Sequence, residues 1–241
     1  MGVLTIGSQG EEVRQLQQAL NQKLVPNPKL VVDGKFGAKT RISVARFQAN
    51  QWLVEDGVAG SCTQNALFRR ESYEPILHKV QFIPQPTPSQ CWAASTAMMT
   101  LSSVPGVVAK TPTDMIASDG GLKNSSESDQ AIVTGTRYAS VHNLRCFAPM
   151  SWMVSALRGQ LQRGPLMFDM LWDASGYASG QGSPGHMIVI VGMRGNDDSS
   201  GKGTTLRIHD PWPPGAGKKY SVGYFKWIQE VPTRTYRVFS R

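Results

Sequence analysis

The chain has 241 residues and a formal net charge of +8, with 40% hydrophobic and 17% charged residues. That length serves one large domain or two small ones, and the apolar share suffices for a core, so disorder as the main state is excluded. No apolar run reaches the roughly 18 residues that a membrane span requires, and the Lys and Arg residues are scattered, with no zinc-knuckle, helix-turn-helix or aromatic RNA-binding pattern beside them, which argues against nucleic acid as the partner.

The positive charge favours an acidic partner, and an acidic wall polymer fits. Cys62, Cys91 and Cys146 are odd in number and widely spaced, forming neither a disulfide framework nor a CxxC metal site. The opening residues MGVLTIGSQGEEVRQ lack a basic stretch followed by an apolar one, and Ile6 stands where a myristoylation signal needs Ser or Thr. The expectation is synthesis in the cytoplasm without a recognisable signal peptide, and export by another machine.

The first predicted element is a helix whose buried stripe is Val13, Leu16, Leu20 and Leu24, with Glu11 and Glu12 in the first turn, where the helix dipole favours acids. An internal echo follows. Asp33-Gly34-Lys35-Phe36-Gly37-Ala38-Lys39-Thr40 returns as Asp56-Gly57-Val58-Ala59-Gly60-Ser61-Cys62-Thr63, both reading D-G-x-x-G-x-x-T. Asp-Gly makes a tight turn because Gly accepts positive φ, and each copy feeds residues at helical spacing, Val44 and Phe47 after the first, Ala66 and Leu67 after the second. Three helices in about 65 residues result.

Residues 3–68 resemble the type 1 peptidoglycan-binding domain of bacterial and phage wall hydrolases, through Leu4, Gly7, Gly10, Val13, Leu16, Gln17, Leu20, DGKFGAKT, Phe47-Gln48, DGVAG, Thr63 and Leu67. The resemblance implies peptidoglycan as a partner, without assigning the contact residues; such modules also serve as docking or spacer units.

Between Arg69 and Pro88, Glu74-Pro75 and Pro84-Gln85-Pro86-Thr87-Pro88 break helix and favour extended or turn backbone. The expected organisation is a three-helix domain at 1–72, a linker at 73–88 that includes the oxyanion segment, and a hydrolase domain at 89–241. In this last domain a helix is predicted from Cys91 to about Ser103, irregular and helical chain to about Val141, a strand near Leu144–Phe147, and a helix over Ser151–Arg163 stopped by Gly164-Pro165. Strands follow at Leu166–Leu171, His186–Arg194, Thr204–Asp210 and Thr235–Phe239, giving an α+β fold with an antiparallel sheet in the C-terminal half.

Cys91 stands in the first turn of a helix with Ser89 as expected N-cap and Ala94, Ala97, Met98 and Leu101 as one buried face, a place where the helix dipole favours thiolate. His186 opens one apolar strand and Asp210 closes the next. A hairpin turn centred on Asp198, in the polar loop Gly195–Gly201, would set the two opposite each other on one sheet face, where the carboxylate orients the imidazole and stabilises imidazolium. Gln85 offers a side-chain donor to an oxyanion, with Gln90 as the alternative. His78, His142 and His209 read as structural or surface residues, and Trp92, Trp212, Tyr220 and Phe225 as core aromatics more than cleft walls. Neither HExxH nor G-x-S-x-G occurs, so no metal or cofactor is expected.

The order Gln85, then Cys91-Trp92-Ala93 at a helix start, then His186 and Asp210, resembles papain-like cysteine peptidases. It is most similar to the compact bacterial group of effector proteases and staphopains, on GHMIVIVG and HDPWPPGAGKKYSVGYF, over about residues 78–240. The resemblance implies a Cys91–His186–Asp210 triad with Gln85 as oxyanion donor. Ser89-Gln90 replaces a Gly common there, and the loop between His186 and Asp210 is long. The expected function is a cysteine hydrolase that cleaves an amide bond through a thioester, brought to peptidoglycan as an exported antibacterial effector or lysin. An immunity protein or secretion machinery would be further partners. The alternative is an exported effector protease cutting host or competitor proteins, with the first domain for docking or transit; a second is a non-catalytic wall-binding protein.

Overall fold

The computed structural model describes residues 2–123, 128–147, 152–171, 185–230 and 237–241. The chain divides into two compact units, one of Met1–Pro75 with Arg194–Leu206 and Ser221–Phe225, the other of Ile76–Met193, Arg207–Tyr220 and Lys226–Arg241.

In the first unit the helices are α1 (Glu11–Lys23), α2 (Ala38–Asn50) and α3 (Ser61–Phe68). Their stripes close a core of Leu4, Val13, Leu16, Leu20, Leu24, Leu30, Phe36, Val44, Phe47, Leu53, Ala59 and Leu67. The echo in the sequence is an echo in hydrogen bonding. Gln17 donates from Nε2 to Asp33 Oδ1 at 2.9 Å and to Lys35 O at 3.0 Å, and accepts the Gly34 N–H at 3.0 Å. Gln48 repeats this with Asp56 Oδ1 at 2.8 Å, Val58 O at 2.9 Å and the Gly57 N–H at 2.8 Å. Each turn glycine has positive φ, 74° at Gly34 and 72° at Gly57, which only Gly accepts cheaply. A buried amide side chain thus satisfies each Asp-Gly turn from inside, where an unpaired group would be costly. The later segment is fastened by Arg194, which pairs with Glu71 at 2.6 and 2.8 Å.

The second unit carries α4 (Cys91–Thr100), α5 (Val104–Lys110), α6 (Ser128–Val141) and α7 (Val154–Leu161). The sheet is built from β1 (Ile76–Leu77), β2 (Arg145–Phe147), β3 (Leu166–Leu171), β4 (Gly185–Gly195), β5 (Thr204–Asp210), β6 (Lys218–Gly223) and β7 (Arg237–Ser240), with α8 (Tyr224–Glu230) after β6; the end of β4, the start of β5, the end of β6 and the start of α8 count with the first unit. The order is β2-β7-β3-β4-β5-β6, with β1 pairing β4, and the registered pairs are antiparallel. This is the expected α+β architecture. Met167, Met187, Val189, Val191 and Phe239 of the sheet pack with Trp92, Ala94, Ala97 and Met98 of α4.

Several expectations need correction. Helix α4 is buried on every side from Cys91 to Met99, and Leu101, expected on its buried face, is 72% exposed at φ 58°, where the chain turns left-handed to leave the helix. The segment after β5 that had no predicted element forms β6 and α8. Ser151 and Thr235, expected as the first residues of a helix and a strand, lie outside the described residues; the described parts are Val154–Leu161 and Arg237–Ser240.

Candidate active site

Helix α4 begins at Cys91 because Pro86 and Pro88 hold the preceding chain out of helical geometry, and Ala, Thr and Met then fill its buried sides. Ser89 is not its N-cap. Gln90 occupies that place with no side-chain hydrogen bond, and the Ser89 hydroxyl lies 3.4 Å from Asp119 Oδ2. The first turn therefore keeps its dipole unscreened by a capping side chain, at the end where the thiol sits. Cys91 is 8% exposed, and its Sγ lies 4.0 Å from Gly185 O.

His186, the second residue of β4, is 3% exposed. Its Nε2 donates to Asp210 Oδ1 at 2.7 Å, and Cys91 lines the same cavity and acts on the charge of the ring. Burial pulls the imidazole pKa down, but the Asp210 hydrogen bond and the influence of Cys91 and of the Asp210 charge outweigh it and push the pKa up to about 9. The ring is thus held as imidazolium at neutral pH, the form that pairs with a cysteine thiolate and that carries a proton for a leaving group.

The structure brings Cys91, His186 and Asp210 together. Asn196 N–H donates to Gly203 O at 3.2 Å, and Gly192 packs beside Arg207. At the loop end this pairing centres between Ser199 and Ser200, and the bond between His186 and Asp210 forms at the other end of the two strands. The carboxylate reaches the ring because Asp210 ends its strand, where its Oδ1 also accepts the Trp212 N–H at 2.9 Å. That local turn fixes its direction.

Gln85 is fully buried. Its backbone is strapped to the segment after Asp210, N–H to Pro211 O at 3.0 Å and O from Gly215 N–H at 2.8 Å. Its Nε2 donates to Thr87 O at 2.7 Å and Pro88 O at 2.9 Å, so the amide is committed to its own loop, while Oε1 has no hydrogen-bond partner. Of the other histidines, His142 and His209 are buried and pushed down to about 4, first by burial. His142 bonds Thr111 Oγ1 at 2.9 Å, and His209 packs edge-on to Phe82 at 5.3 Å. His78 bonds Leu161 O at 2.6 Å. None of the three is among the residues that line the cavity beside Cys91.

A cavity of about 520 Å³ opens on the pair, lined by Cys91, Trp92, His186 and Met187 together with Ser89, Asp119, Lys123 and Asp169. Asp169 had escaped the sequence reading. A signal was present, a lone acid inside the apolar strand Leu-Met-Phe-Asp-Met-Leu. Among the described residues no group of three or more His, Cys, Asp or Glu could hold a metal ion.

Comparison with known proteins follows the same division. The model of the papain-like cysteine protease AvrRpt2 family matches residues 74–230, and that of a peptidoglycan binding domain matches residues 9–67. A zinc D-Ala-D-Ala carboxypeptidase of Streptomyces albus G is 41% identical over 68 residues, 28% of this chain and 27% of that protein, so the chain spans about a quarter of that relative's length. Among solved structures, the SleB N-terminal domain is 34% identical over 28% of this chain and 90% of that one, with a TM-score of 0.26. A C39-like peptidase from Bacillus anthracis is 14% identical over 70% of this chain and 98% of that one, with a TM-score of 0.42.

Proposed function

From the premise that the chain belongs to the papain-like cysteine protease AvrRpt2 family and carries a peptidoglycan-binding domain, we propose that it is a wall-directed peptidase whose reaction is run by Cys91, His186 and Asp210. The observation that carries the reading is that Cys91, at the head of α4, shares one cavity with His186, whose ring is bonded to Asp210 Oδ1 at 2.7 Å. Cys91 Sγ attacks the carbonyl carbon of the scissile amide, and the His186 imidazolium gives its proton to the departing amine as the tetrahedral intermediate collapses to a thioester. The imidazole then takes a proton from water, which attacks the thioester and restores the thiolate–imidazolium pair. Asp210 keeps the ring oriented and favours its charged form. The oxyanion is met at the N-terminus of α4, joined by Gln85 when its Nε2 leaves the Pro88 carbonyl; an Oε1 without a partner makes that amide less costly to turn than a fully satisfied one.

The N-terminal likeness to a wall enzyme supports peptidoglycan as the surface that concentrates the peptidase near its substrate, outside the producing cytoplasm, as an effector or lysin would work. The description of the matched family as a protease favours a second reading, in which the bond cut is in a protein and the wall module serves docking. Incubating the purified chain with isolated sacculi, and separately with a cell lysate, followed by mass spectrometry, decides between them. New muropeptide termini support the wall substrate; discrete protein fragments with unchanged sacculi overturn it.

A further inference from the structure

The cavity beside Cys91 holds a carboxylate that the reaction does not use. Asp169 sits on β3 opposite Met187, next to the Met170–His186 pair, and is 5% exposed. Arg237 binds it through Nε at 2.6 Å and through Nη2, and both contacts fall on Oδ2. Among the described residues no hydrogen bond reaches Oδ1, although a carboxylate oxygen has room for two donors. Asp169 lines the cavity, so this oxygen is an acceptor left over at the place where substrate must lie. A second carboxylate, Asp119, lines the same cavity and is held by the Gly121 N–H at 2.9 Å, with Lys123 and the His186 ring as the cationic side chains among the lining residues.

We propose that Asp169 selects peptides that carry a protonated amine or guanidinium beside the scissile amide, with Asp119 adding to the negative field. This inference rests on the peptidase reading. Asp169 Oδ1 opens on the cavity, so a substrate that covers it takes away its water: a charged donor replaces the lost hydrogen bond, whereas an isosteric apolar side chain strands the oxygen. An acidic side chain meets two like charges. Arg237 fixes the carboxylate in place through its other oxygen, as preorganisation requires.

The test uses the full chain and peptide series identical except for Lys, norleucine or Glu at each position flanking the cleaved bond. Wild-type kcat/KM should favour Lys over norleucine at one position by at least about tenfold, with Glu the poorest. Because Asp169→Asn alone strands a buried Arg237, the variant of choice is Asp169→Leu with Arg237→Met, which replaces the ion pair by an apolar one. In it the Lys-to-norleucine ratio should fall to about one. If that variant fails to fold, the salt dependence of the wild type decides: kcat/KM for the Lys peptide should fall as ionic strength rises, while that for norleucine stays level. Equal wild-type rates for the three peptides, a preference that survives in the folded double variant, or a Lys rate indifferent to salt would each overturn the inference and leave the peptidase intact. Absence of cleavage of every peptide, together with failure of Cys91 to react with iodoacetamide, would overturn the peptidase reading and this inference with it.

Discussion

The helical module of the first unit and the cavity of the second use the same residue types to opposite ends. In the module, Asp33, Asp56, Gln17 and Gln48 spend their hydrogen bonds on one another and on two Asp-Gly turns. At the cavity, Asp169 keeps one oxygen clear of the protein and the Gln85 Oε1 has no partner, while the Cys91–His186–Asp210 line ends at a thiol facing open space. Saturated polar groups hold a fold; polar groups left with unused capacity in a cavity are poised to meet something else. A motif that repeats conspicuously in sequence can therefore be wholly architectural, while the chemistry comes from residues far apart in the chain.

Substitutions sharpen this contrast. Removing the nucleophile should have the largest effect: Cys91→Ala should reduce turnover of a soluble peptide to background, a loss of about 10⁴-fold or more, with the melting temperature little changed. Gln85→Ala separates the two kinds of polar residue within a single side chain. If Gln85 serves the oxyanion, kcat should drop by about 10²- to 10³-fold at constant KM. A fall in melting temperature with kcat preserved would move Gln85 to the architectural class. Asp210→Asn should cost about 10²-fold, since the amide still hydrogen-bonds the ring but no longer favours its charge.

The pH profile reads the same contact. His186 is held up to about 9, so the imidazolium persists through neutral pH and is lost as pH rises through that value, and kcat/KM should decline on an alkaline limb there. In Asp210→Asn the limb should move to lower pH; an unmoved limb would remove Asp210 from the unit. At the small end, Gln48→Ala should cost about 1–3 kcal/mol of stability by stranding the Gly57 N–H, measured by denaturant unfolding of the full chain, and leave turnover of a soluble peptide unaltered.

How much of this was legible in sequence follows the same line. Helices α1 to α3 and strands β3 and β5 fall where apolar spacing and Asp-Gly turns predict them, since local pattern decides local structure. Strand β6, Lys-Lys-Tyr-Ser-Val-Gly, lacks a clean alternation because none of it is fully buried, and α8 is too short and aromatic to show a helical stripe. The meeting of His186 with Asp210 was legible from chemistry, since an imidazole that serves a thiol needs a carboxylate to orient it. Asp169 was hidden because an acid in an apolar strand reveals its role only once its partner, Arg237, comes from the far end of the chain.

The central claim, that Cys91 alone among the three cysteines is built to react, is tested most directly by mapping brief iodoacetamide labelling of the native chain at neutral pH by mass spectrometry. Burial raises the Cys62 thiol pKa and pushes that of Cys146 up to about 11, whereas Cys91 has an imidazolium beside it. The account predicts label on Cys91 with Cys62 and Cys146 nearly untouched, and loss of that selectivity in His186→Ala. Equal labelling of all three in the folded protein would contradict it.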